Sequence, residues 1–455
     1  MVKRLNEKAK ISIKTPIGET NAFDMSNIVR QGTVYGPQIC IAAMDRINST
    51  GEDIVTQYSP ELVIRAPTYV DDVMSIGSIT AANNLITNCC IQEERKKMKF
   101  GVENGKTEYI SIKCSKKLIA SVVTNKVKSG KVNQVEMHKA LGTWYNDNGT
   151  LTTNIKRIKE KLPFMIKTVK EQASPTNLGV LAVQGRLKLC ETVLIPSVLH
   201  NTEAYANLSK DNVDTYEQIQ SKILKDLLEL PQSTPYYPLL METGCWTMGA
   251  RISYRRLMFY HNLLRSDDKR MAKKVVMVQQ QYQSESTKWY NMVINDIKKY
   301  KIELNPLDTK KSTWKKAVKS NISRINEMNL KELCKEKTKS RWVKDNEVNM
   351  KDYLKVLSLT ESIKVLKMRL NMIKIPGNYK NSAVNKCPLC GGKENNLEHY
   401  FECKKVNRIK KSCDITLKDM YSLKIEILRN VALFGECLEI MLQPVLKEEV
   451  KCIDN

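Results

Sequence analysis

The sequence predicts an α+β protein in which a mixed first part is followed by a longer, mostly helical part. Three observations lead to this prediction. Within residues 1–145, short β-like runs alternate with segments of helical spacing. From about residue 150 onward, apolar residues recur at helical intervals, and prolines punctuate the segments. Near the carboxyl end, two cysteines precede a histidine and another cysteine at the spacing of a small metal-binding knuckle.

The chain carries far more basic than acidic side chains. Its 455 residues, of which 42% are hydrophobic and 27% are charged, are typical of a folded protein with room for several domains. The 74 Lys and Arg residues against 49 Asp and Glu residues give a formal net charge of +25. A surplus of this size is typical of proteins that bind a polyanion, most often nucleic acid. On charge alone, a ribosomal-type or membrane-surface protein is an alternative.

The amino-terminal residues and the cysteines indicate a compartment. Residues 1–7 have no apolar segment behind their charges, so they do not resemble a signal peptide. No stretch approaches the roughly 20 apolar residues of a membrane span. The 13 cysteines are odd in number and unevenly spaced, unlike a secreted disulfide framework. We therefore expect an intracellular protein of the nucleus or cytoplasm, without a membrane partner.

In the first part of the chain, two adjacent aspartates lie between β-forming runs. The segment Tyr69-Val70-Asp71-Asp72 predicts a strand, a tight turn that holds both carboxylates, and a returning strand. Two ionised carboxylates ~4 Å apart repel each other by about 4 kcal/mol at an effective dielectric constant of ~20. In a cleft such a pair requires a cation, and its oxygen ligands suit Mg²⁺. The alternative is a solvated turn, which is the usual environment of an isolated Asp-Asp pair.

In the second part, apolar residues recur on one face of several segments. Residues 216–228 predict an amphipathic helix that ends before a proline, and residues 252–264 predict another helix. Residues 310–344 are the most basic stretch, and they contain Trp314 and Trp342. This stretch predicts a pair of solvated basic helices that the two Trp side chains anchor to a core. Direct contact of these helices with nucleic acid is the alternative.

Four segments of the first part occur in an order that matches a known family. They are QGTVYGP at residues 31–37, YVDD at 69–72, GKTE at 105–108 and ALGTWY at 140–145. In order and character they resemble motifs B, C, D and E in the palm of reverse transcriptases, specifically those of non-LTR (LINE-type) retrotransposons. Residues 230–244 and 256–261 resemble the helical region that follows the thumb in this class. The resemblance implies a partial right-hand polymerase palm, followed by a mostly α-helical thumb and C-terminal region.

What the resemblance implies for chemistry is RNA-templated DNA synthesis by two-metal nucleotidyl transfer. In such an enzyme Asp71 would ligate Mg²⁺, and Asp72 would be its supporting neighbour. Tyr69 would lie beside the primer end. The implied partners are RNA, DNA and a dNTP.

The other motifs imply contacts with template, nucleotide and primer. Gln31 and Gly32 would shape the pocket for the template and the incoming nucleotide. Lys106 would lie near the triphosphate, where a cation assists the leaving group. Leu141 and Gly142 would belong to the primer grip.

One part of the family's site has no counterpart in this sequence. A polymerase palm needs a further aspartate on an earlier strand, in motif A, to complete the two-metal site. Asp24 is the one aspartate before Gln31, and it resembles the strand that enters motif B. The six intervening residues would span only about 9 Å as a helix, too little for the helix of a palm. We therefore expect motif A and the fingers to be missing, the chain to be a truncated or decayed polymerase, and the isolated chain to be inactive.

Near the carboxyl end, Cys387, Cys390, His399 and Cys403 have the spacing C-x2-C-x8-H-x3-C. The first two thiolates can face one ion across a glycine-containing turn, and His399 and Cys403 share a face if a helix begins near Leu397. Four such ligands close a tetrahedral, structural Zn²⁺ site. The apparent affinity of such units, about 10–16 kcal/mol, can fold a small segment by itself. The alternative is a set of unrelated intracellular cysteines.

Together these observations predict five regions. They are a partial palm (1–145), a helical thumb and post-thumb region (146–265), a basic helical region (266–380), a CCHC zinc knuckle (381–410) and a helical tail (411–455). LINE-type enzymes commonly carry such a knuckle, and the basic residues after Cys403 could bind RNA. The first functional hypothesis is a non-LTR reverse transcriptase. The alternatives are a non-catalytic nucleic-acid-binding protein derived from one, and a zinc-stabilised basic scaffold.

Overall fold

A computed structural model gives the coordinates of the chain. It describes residues 151–453 apart from 207, 283–287, 336–346, 379–385 and 393–394. Of residues 1–150 it describes 10–12, 14–15, 17–24, 54–56, 59–64, 68–69, 72–74, 87, 90–91, 94, 107–111, 126–127 and 130–147. The chain divides into two compact units, residues 1–150 and residues 151–455.

Short strand pairs make up most of the described part of the first unit. The antiparallel pairs are β1 (Lys10–Ile11) with β4 (Phe23–Asp24), β2 (Lys14–Thr15) with β3 (Gly18–Glu19), β5 (Ile54–Thr56) with β6 (Ser59–Ile64), β7 (Thr68–Tyr69) with β8 (Asp72–Val73), β10 (Lys126–Val127) with β11 (Gly130–Lys131), and β13 (Met137–Ala140) with β14 (Thr143–Asn146). The strands β9 (Glu108–Tyr109) and β12 (Asn133–Gln134) form a parallel pair. Short strands beside abundant helix agree with the predicted α+β class. The described strands form two-stranded sheets, and a polymerase palm stays a prediction.

The second unit is built from helices. They are α1 (Thr152–Gln172), α2 (Pro175–Leu178), α3 (Ala182–Leu189), α4 (Ile195–Val198), α5 (Lys210–Leu227), α6 (Tyr236–Thr243), α7 (Met248–Leu264), α8 (Met271–Gln281), α9 (Lys288–Lys299), α10 (Lys311–Lys335), α11 (Tyr353–Val356), α12 (Leu359–Arg369), α13 (Leu397–Glu402), α14 (Asn407–Cys413) and α15 (Ile425–Ile453). A π-helical turn, Cys190–Leu194, connects α3 to α4. Short 3₁₀ helices lie at Gly179–Leu181, Thr202–Ala204, Pro376–Asn378 and Leu417–Tyr421.

Two of these helices confirm the periodicity of the sequence. The predicted stripe forms α5, which begins where the Ser209 hydroxyl accepts a hydrogen bond from the Asn212 N–H group, 3.2 Å away. Such caps satisfy one of the free N–H groups at a helix start. The second predicted helix forms α7, which begins four residues earlier than its apolar spacing suggested. The reason is the Thr247 hydroxyl, which accepts a hydrogen bond from the Ala250 N–H group and caps the helix there.

The larger of two apolar cores, the main core, joins the beginning and the end of the second unit. Its buried residues come from α1, from α3 to α7, and again from the end of α10 to α15. Within it, Arg369 donates from Nε and Nη2 to the two carboxylate oxygens of Glu242, each at 2.9 Å. The Tyr353 hydroxyl donates to the same carboxylate at 2.9 Å. Because Glu242 is fully buried, this pairing is needed to keep its charge in the core.

Aromatic side chains dominate the second core, which α7, α8, α9 and α10 enclose. Its aromatic members are Tyr260, Trp289, Tyr290, Tyr300 and Trp314. Trp314 is fully buried, which confirms its predicted role as an anchor. Its Nε1–H donates to the carbonyl of Leu257 at 3.2 Å, and its ring stacks on His261 with centroids 5.4 Å apart. The other predicted anchor, Trp342, lies outside the described residues.

Both cores cross the region boundaries suggested by the sequence. The second core runs across residue 265, and the main core runs across residues 265, 380 and 410. The five regions therefore stay a prediction about sequence character. In the part of the chain that the structure describes, no helix has both the length and the apolarity required to traverse a bilayer.

Candidate metal centre and the predicted polymerase residues

The structure brings together the four predicted metal ligands. The ligand atoms of Cys387, Cys390, His399 and Cys403 all lie within 4.8 Å of one another. The two Sγ atoms of Cys387 and Cys403 are 4.0 Å apart, and Cys390 Sγ is 3.3 Å from His399 Nε2. A tetrahedral zinc ion with Zn–S bonds of ~2.3 Å holds its sulfur ligands roughly 3.8 Å apart. These four side chains could therefore hold one metal ion.

A tight turn brings the first two cysteines to the same side. The Gly391 N–H donates to the Cys387 carbonyl at 2.8 Å, and the Cys387 N–H donates to the Gly392 carbonyl at 2.9 Å. Gly391 has a φ of 72°, in the left-handed region that favours glycine. At Gly392, a Cβ atom would lie 3.1 Å from the His399 ring and 3.2 Å from Cys390 Sγ. The two glycines are thus needed for the turn and for the approach of the histidine.

A short helix and the residue that caps its end supply the other two ligands. As expected, α13 begins at Leu397, and the side-chain oxygen of Asn396 caps it by accepting the His399 N–H at 2.8 Å. The helix ends at Glu402, and Cys403 is its C-cap residue, with a helical φ of −63° and an extended ψ of 122°. Because ψ moves only the residues that follow, the Cys403 side chain keeps its place four residues after His399 on the same helical face. The predicted arrangement of these two ligands is therefore confirmed, and the chain leaves the helix after Cys403.

The four ligands differ in burial, and two of the thiols differ in pKa. Cys387 and Cys403 are buried, His399 is half-buried and Cys390 is exposed. Burial raises the pKa of the Cys387 thiol to about 11. At Cys390 the Gly392 N–H donates to the sulfur and lowers the pKa of the thiol to about 7. A metal ion binds the thiolate form, so metal binding near neutral pH would release a proton from Cys387.

The cluster is part of the main core. Cys387 and Cys403 belong to that core together with Tyr400, which is fully buried. The Phe401 ring packs on Phe434 of α15 with centroids 4.7 Å apart, and the Phe401 carbonyl accepts a hydrogen bond from Lys410 Nζ at 2.8 Å. The knuckle thus packs its aromatic side chains inward. The sequence suggested a segment that folds by itself, but here the metal ligands are joined to helices on both sides.

The hairpin around the paired aspartates is present in the backbone. Thr68 pairs with Val73, and Tyr69 pairs with Asp72, in an antiparallel arrangement. The sequence placed both aspartates in the turn, but Asp72 is the first residue of the returning strand. Asp71 lies outside the described residues, as do the side chains of Tyr69 and Asp72.

The predicted primer-grip residues form the tip of another hairpin. Ala140 pairs with Thr143, so Leu141 and Gly142 are the two loop residues of the β13–β14 hairpin. Both have positive φ, 47° at Leu141 and 81° at Gly142. A left-handed conformation costs a non-glycine residue roughly 1–2 kcal/mol. Leu141 adopts it although its side chain is half-exposed at this tip and gains little from burial. Gln31, Gly32 and Lys106 lie outside the described residues.

Two polar contacts were not visible in the sequence. The His138 ring nitrogen Nδ1 is 2.7 Å from a carboxylate oxygen of Glu108, although spacing along the chain gave this histidine no partner. The buried pair of Glu242 and Arg369 is 127 positions apart in sequence, and neither residue stood out among many charged ones. The charge and apolar spacing of a single sequence give no signal for such distant pairs.

Comparisons of this chain with protein-family models, with curated proteins and with solved structures found no match. The case for a function therefore depends on the chain's own residues, motifs and charges.

Proposed function

We propose that this chain is a reverse transcriptase polypeptide of the non-LTR (LINE) type, an RNA-directed DNA polymerase that binds an RNA template and a DNA primer. The observation that carries the proposal is the antiparallel strand pair of YVDD, in which Tyr69 pairs with Asp72. A polymerase needs this arrangement to present adjacent carboxylates at a strand end. The order of the four motifs along residues 31–145 supports the same proposal.

The hairpin tip at Leu141 also supports this function. Strained backbone is found preferentially at binding and catalytic positions, where the surrounding structure maintains it. A half-exposed leucine with a φ of 47° is costly for the fold but suits a residue that presses on a primer strand. Asp71 and Asp72 would hold Mg²⁺, which supplies electrostatic stabilisation of the transferred phosphoryl group when bound. Gln31, Gly32 and Lys106 would contact template, nucleotide and triphosphate.

The carboxyl-terminal cluster would bind a structural Zn²⁺ ion. Three sulfur ligands and one imidazole suit zinc, and a set of four leaves no open position for catalysis. Because the cluster is joined to the main core, the ion would stabilise the whole carboxyl-terminal half of the second unit.

A non-catalytic nucleic-acid-binding protein with the same ancestry is the second candidate. One observation favours it: Asp24 is the one aspartate before the QGTVYGP motif, so a third palm carboxylate has no evident source within these 455 residues. The net charge of +25 supports nucleic-acid binding under both candidates.

Binding to two matched hybrids separates these candidates. We would measure fluorescence anisotropy with an RNA–DNA hybrid that has a recessed DNA 3′ end and with a blunt hybrid of equal length. A polymerase site predicts tighter binding of the recessed end in Mg²⁺, and loss of that preference in Asp71→Asn/Asp72→Asn. Equal affinity for both hybrids would favour the second candidate. An affinity that does not change between 50 and 200 mM salt (roughly the range over which phosphate contacts cost orders of magnitude) would contradict both.

Primer extension is the complementary measurement. We expect no extension by these 455 residues with Mg²⁺, dNTPs and a primed RNA template, because two-metal chemistry requires a further carboxylate. Extension that disappears in Asp71→Ala would show that the chain completes the site by itself, and the second candidate would then be wrong.

A further inference from the structure

The two halves of α10 carry their charges differently. In the second half, Lys331 lies 2.8 Å from Glu327, and Lys335 lies 3.1 Å from Glu332, as in an ordinary solvated helix. The first half has four lysines and no acidic residue: the nearest acidic positions along the chain are 308 and 327. These four lysines, Lys311, Lys315, Lys316 and Lys319, are all exposed and are called here the cation face of α10.

No described carboxylate forms an ion pair with the cation face. Lysines on a solvated helix commonly gain a few tenths of a kilocalorie from an acidic residue one turn away. The second half of α10 has such pairs, whereas the first half has none among the described residues. Lys311, Lys315 and Lys319 follow one another at intervals of four residues, about 6 Å along the axis. Within one helix, the cations therefore form a row that has no counter-charge in the described part of the chain.

The row is held on a rigid support. On the opposite side of α10, Trp314, Val318 and Ile322 are fully buried in the second core. The Trp314 indole donates to α7, and Asn326 Oδ1 accepts a hydrogen bond from the Thr247 hydroxyl at 2.8 Å. Because the backbone is fixed in this way, binding a ligand on the cation face would order lysine side chains only, which limits the entropic cost.

The composition of the face selects among anionic partners. Beside the lysines lie the exposed hydroxyl side chains of Ser312, Ser320 and Ser323, and residues 310–324 include no exposed apolar or aromatic side chain. A membrane-surface helix needs apolar side chains that enter the bilayer. A site for single-stranded nucleic acid usually needs aromatic side chains on which bases stack. Lysine and serine side chains, with no exposed apolar or aromatic residue among them, are donors suited to phosphate oxygens.

We propose that the cation face of α10 binds the phosphate backbone of double-helical nucleic acid, without reading its sequence. The partner is a duplex because it presents a continuous, evenly spaced row of phosphates to a straight and rigid helix. This surface lies on the second unit and is independent of the YVDD hairpin. It would hold a duplex whether or not the chain polymerises.

A pair of matched variants of the full chain tests this proposal. Lys315→Gln/Lys319→Gln removes two lysines four residues apart from the cation face, and Lys331→Gln/Lys335→Gln removes two lysines with the same spacing from the paired half of the helix. Glutamine preserves helix propensity, and both variants lose the same net charge. With a fluorescein-labelled blunt duplex, we expect the first variant to bind about fivefold or more weakly and to lower the salt slope by about 1.8, at about 0.9 per phosphate contact. We expect the control to bind within about twofold of the parent chain.

Three results would overturn the proposal. One is an equal loss in both variants, which would indicate a general effect of net charge. Another is an affinity that differs more than about tenfold between two duplexes of unrelated sequence, which would indicate base contacts. The third is loss of binding to phosphatidylserine vesicles, but not to duplex, in the cation-face variant. Lys315→Arg/Lys319→Arg should retain duplex binding, and circular dichroism should show that all variants are folded. The preference for a recessed end is a property of the palm, so its absence would contradict the polymerase proposal and leave this one intact.

Discussion

The main core and the second core reach similar burial by different means. The main core depends on polar groups that connect residues far apart in sequence: the pair of Glu242 and Arg369, and the four-ligand cluster. The second core uses aromatic side chains from one continuous segment of the chain, among them Trp314 and Trp289, and its one buried ion pair, Arg256 with Asp296, joins residues only 40 positions apart. The main core therefore requires residues near the carboxyl end of the chain and a metal ion bound to its four ligands. The second core can tolerate changes of charge on its surface.

This difference distinguishes charged side chains that stabilise the fold from charged side chains that are available to bind a partner. In the main core, charged side chains are buried, paired and fixed, so their removal should disturb the fold. On the second core, the lysines of α10 point outward from a helix that its apolar side already holds in place. Their removal should change binding and leave stability nearly unchanged. Tryptophan fluorescence helps to distinguish the two cores, because Trp289 and Trp314 lie in the second core and no described tryptophan lies in the main core.

Loss of the metal should have the largest effect. Cys403→Ser, or removal of metal by a chelator, is expected to destabilise the main core by more than about 5 kcal/mol, given about 10–16 kcal/mol for structural zinc sites. We expect protease cleavage within residues 353–453 and loss of one zinc ion per chain, measured by mass spectrometry of the metal. Cys437→Ser, outside the cluster and half-buried, is the matched control. If the chelated protein resists protease like the parent, the cluster does not support the core.

Breaking the buried ion pair should have the next largest effect. Glu242→Gln leaves the Arg369 guanidinium buried beside a neutral group, which typically costs about 3–5 kcal/mol. Urea unfolding followed by far-ultraviolet circular dichroism would measure this change. Glu160→Gln removes an exposed partner of Arg157 and should cost less than about 1 kcal/mol. Similar costs for both variants would mean that water reaches the Glu242 site.

A feature was predictable from the sequence when the residues that produce it lie close together along the chain. The helix α5 was predictable because its apolar residues repeat within one segment, and the metal ligands were predictable because their spacing is local. The pair of Glu242 and Arg369 was not, since its partners are 127 residues apart and charge alone selects no partner. The end of α13 at Glu402 was not predictable, because capping geometry, not residue spacing, decides where a short helix stops.

The hairpins show the same limit at a finer scale. The positive φ at Gly142 suits its glycine, which adopts such a conformation readily. The positive φ of Leu141 was not predictable, because leucine rarely adopts it and only the two-residue loop imposes it. Likewise, the YVDD hairpin was predictable from the pattern of residues, but its register, which moves Asp72 from the turn into the strand, was not.

A conservative change in the second core should have a smaller effect that leaves the main core intact. Trp314→Phe removes the hydrogen bond to the Leu257 carbonyl and part of the stacking on His261, which should cost about 2 kcal/mol. We expect fluorescence-detected unfolding at lower urea concentration, with zinc content unchanged. The matched control is Met328→Leu, at an exposed position of the same helix. A loss of zinc in Trp314→Phe would show that the two cores unfold as one.

The smallest expected effect concerns the start of α12 in the main core. Ser358 and Glu361 form a capping box, in which the Ser358 N–H donates to the Glu361 carboxylate at 3.0 Å. Ser358→Ala should cost about 1 kcal/mol at pH 7 in urea unfolding. The hydrogen bond from the Ser358 hydroxyl lowers the pKa of Glu361 below its usual value of 4.5, against a smaller opposing effect of burial.

A lowered pKa means that the folded state favours the ionised carboxylate. The contribution of Glu361 is therefore complete above pH 4.5 and is lost as the pH falls through its lower folded-state pKa. The difference in unfolding free energy between the parent chain and Ser358→Ala should shrink below pH 4.5. In a Glu361→Gln background the residue cannot titrate, so the same difference should not vary with pH. A pH-dependent difference in that background would assign the titration to another carboxylate near the start of α12.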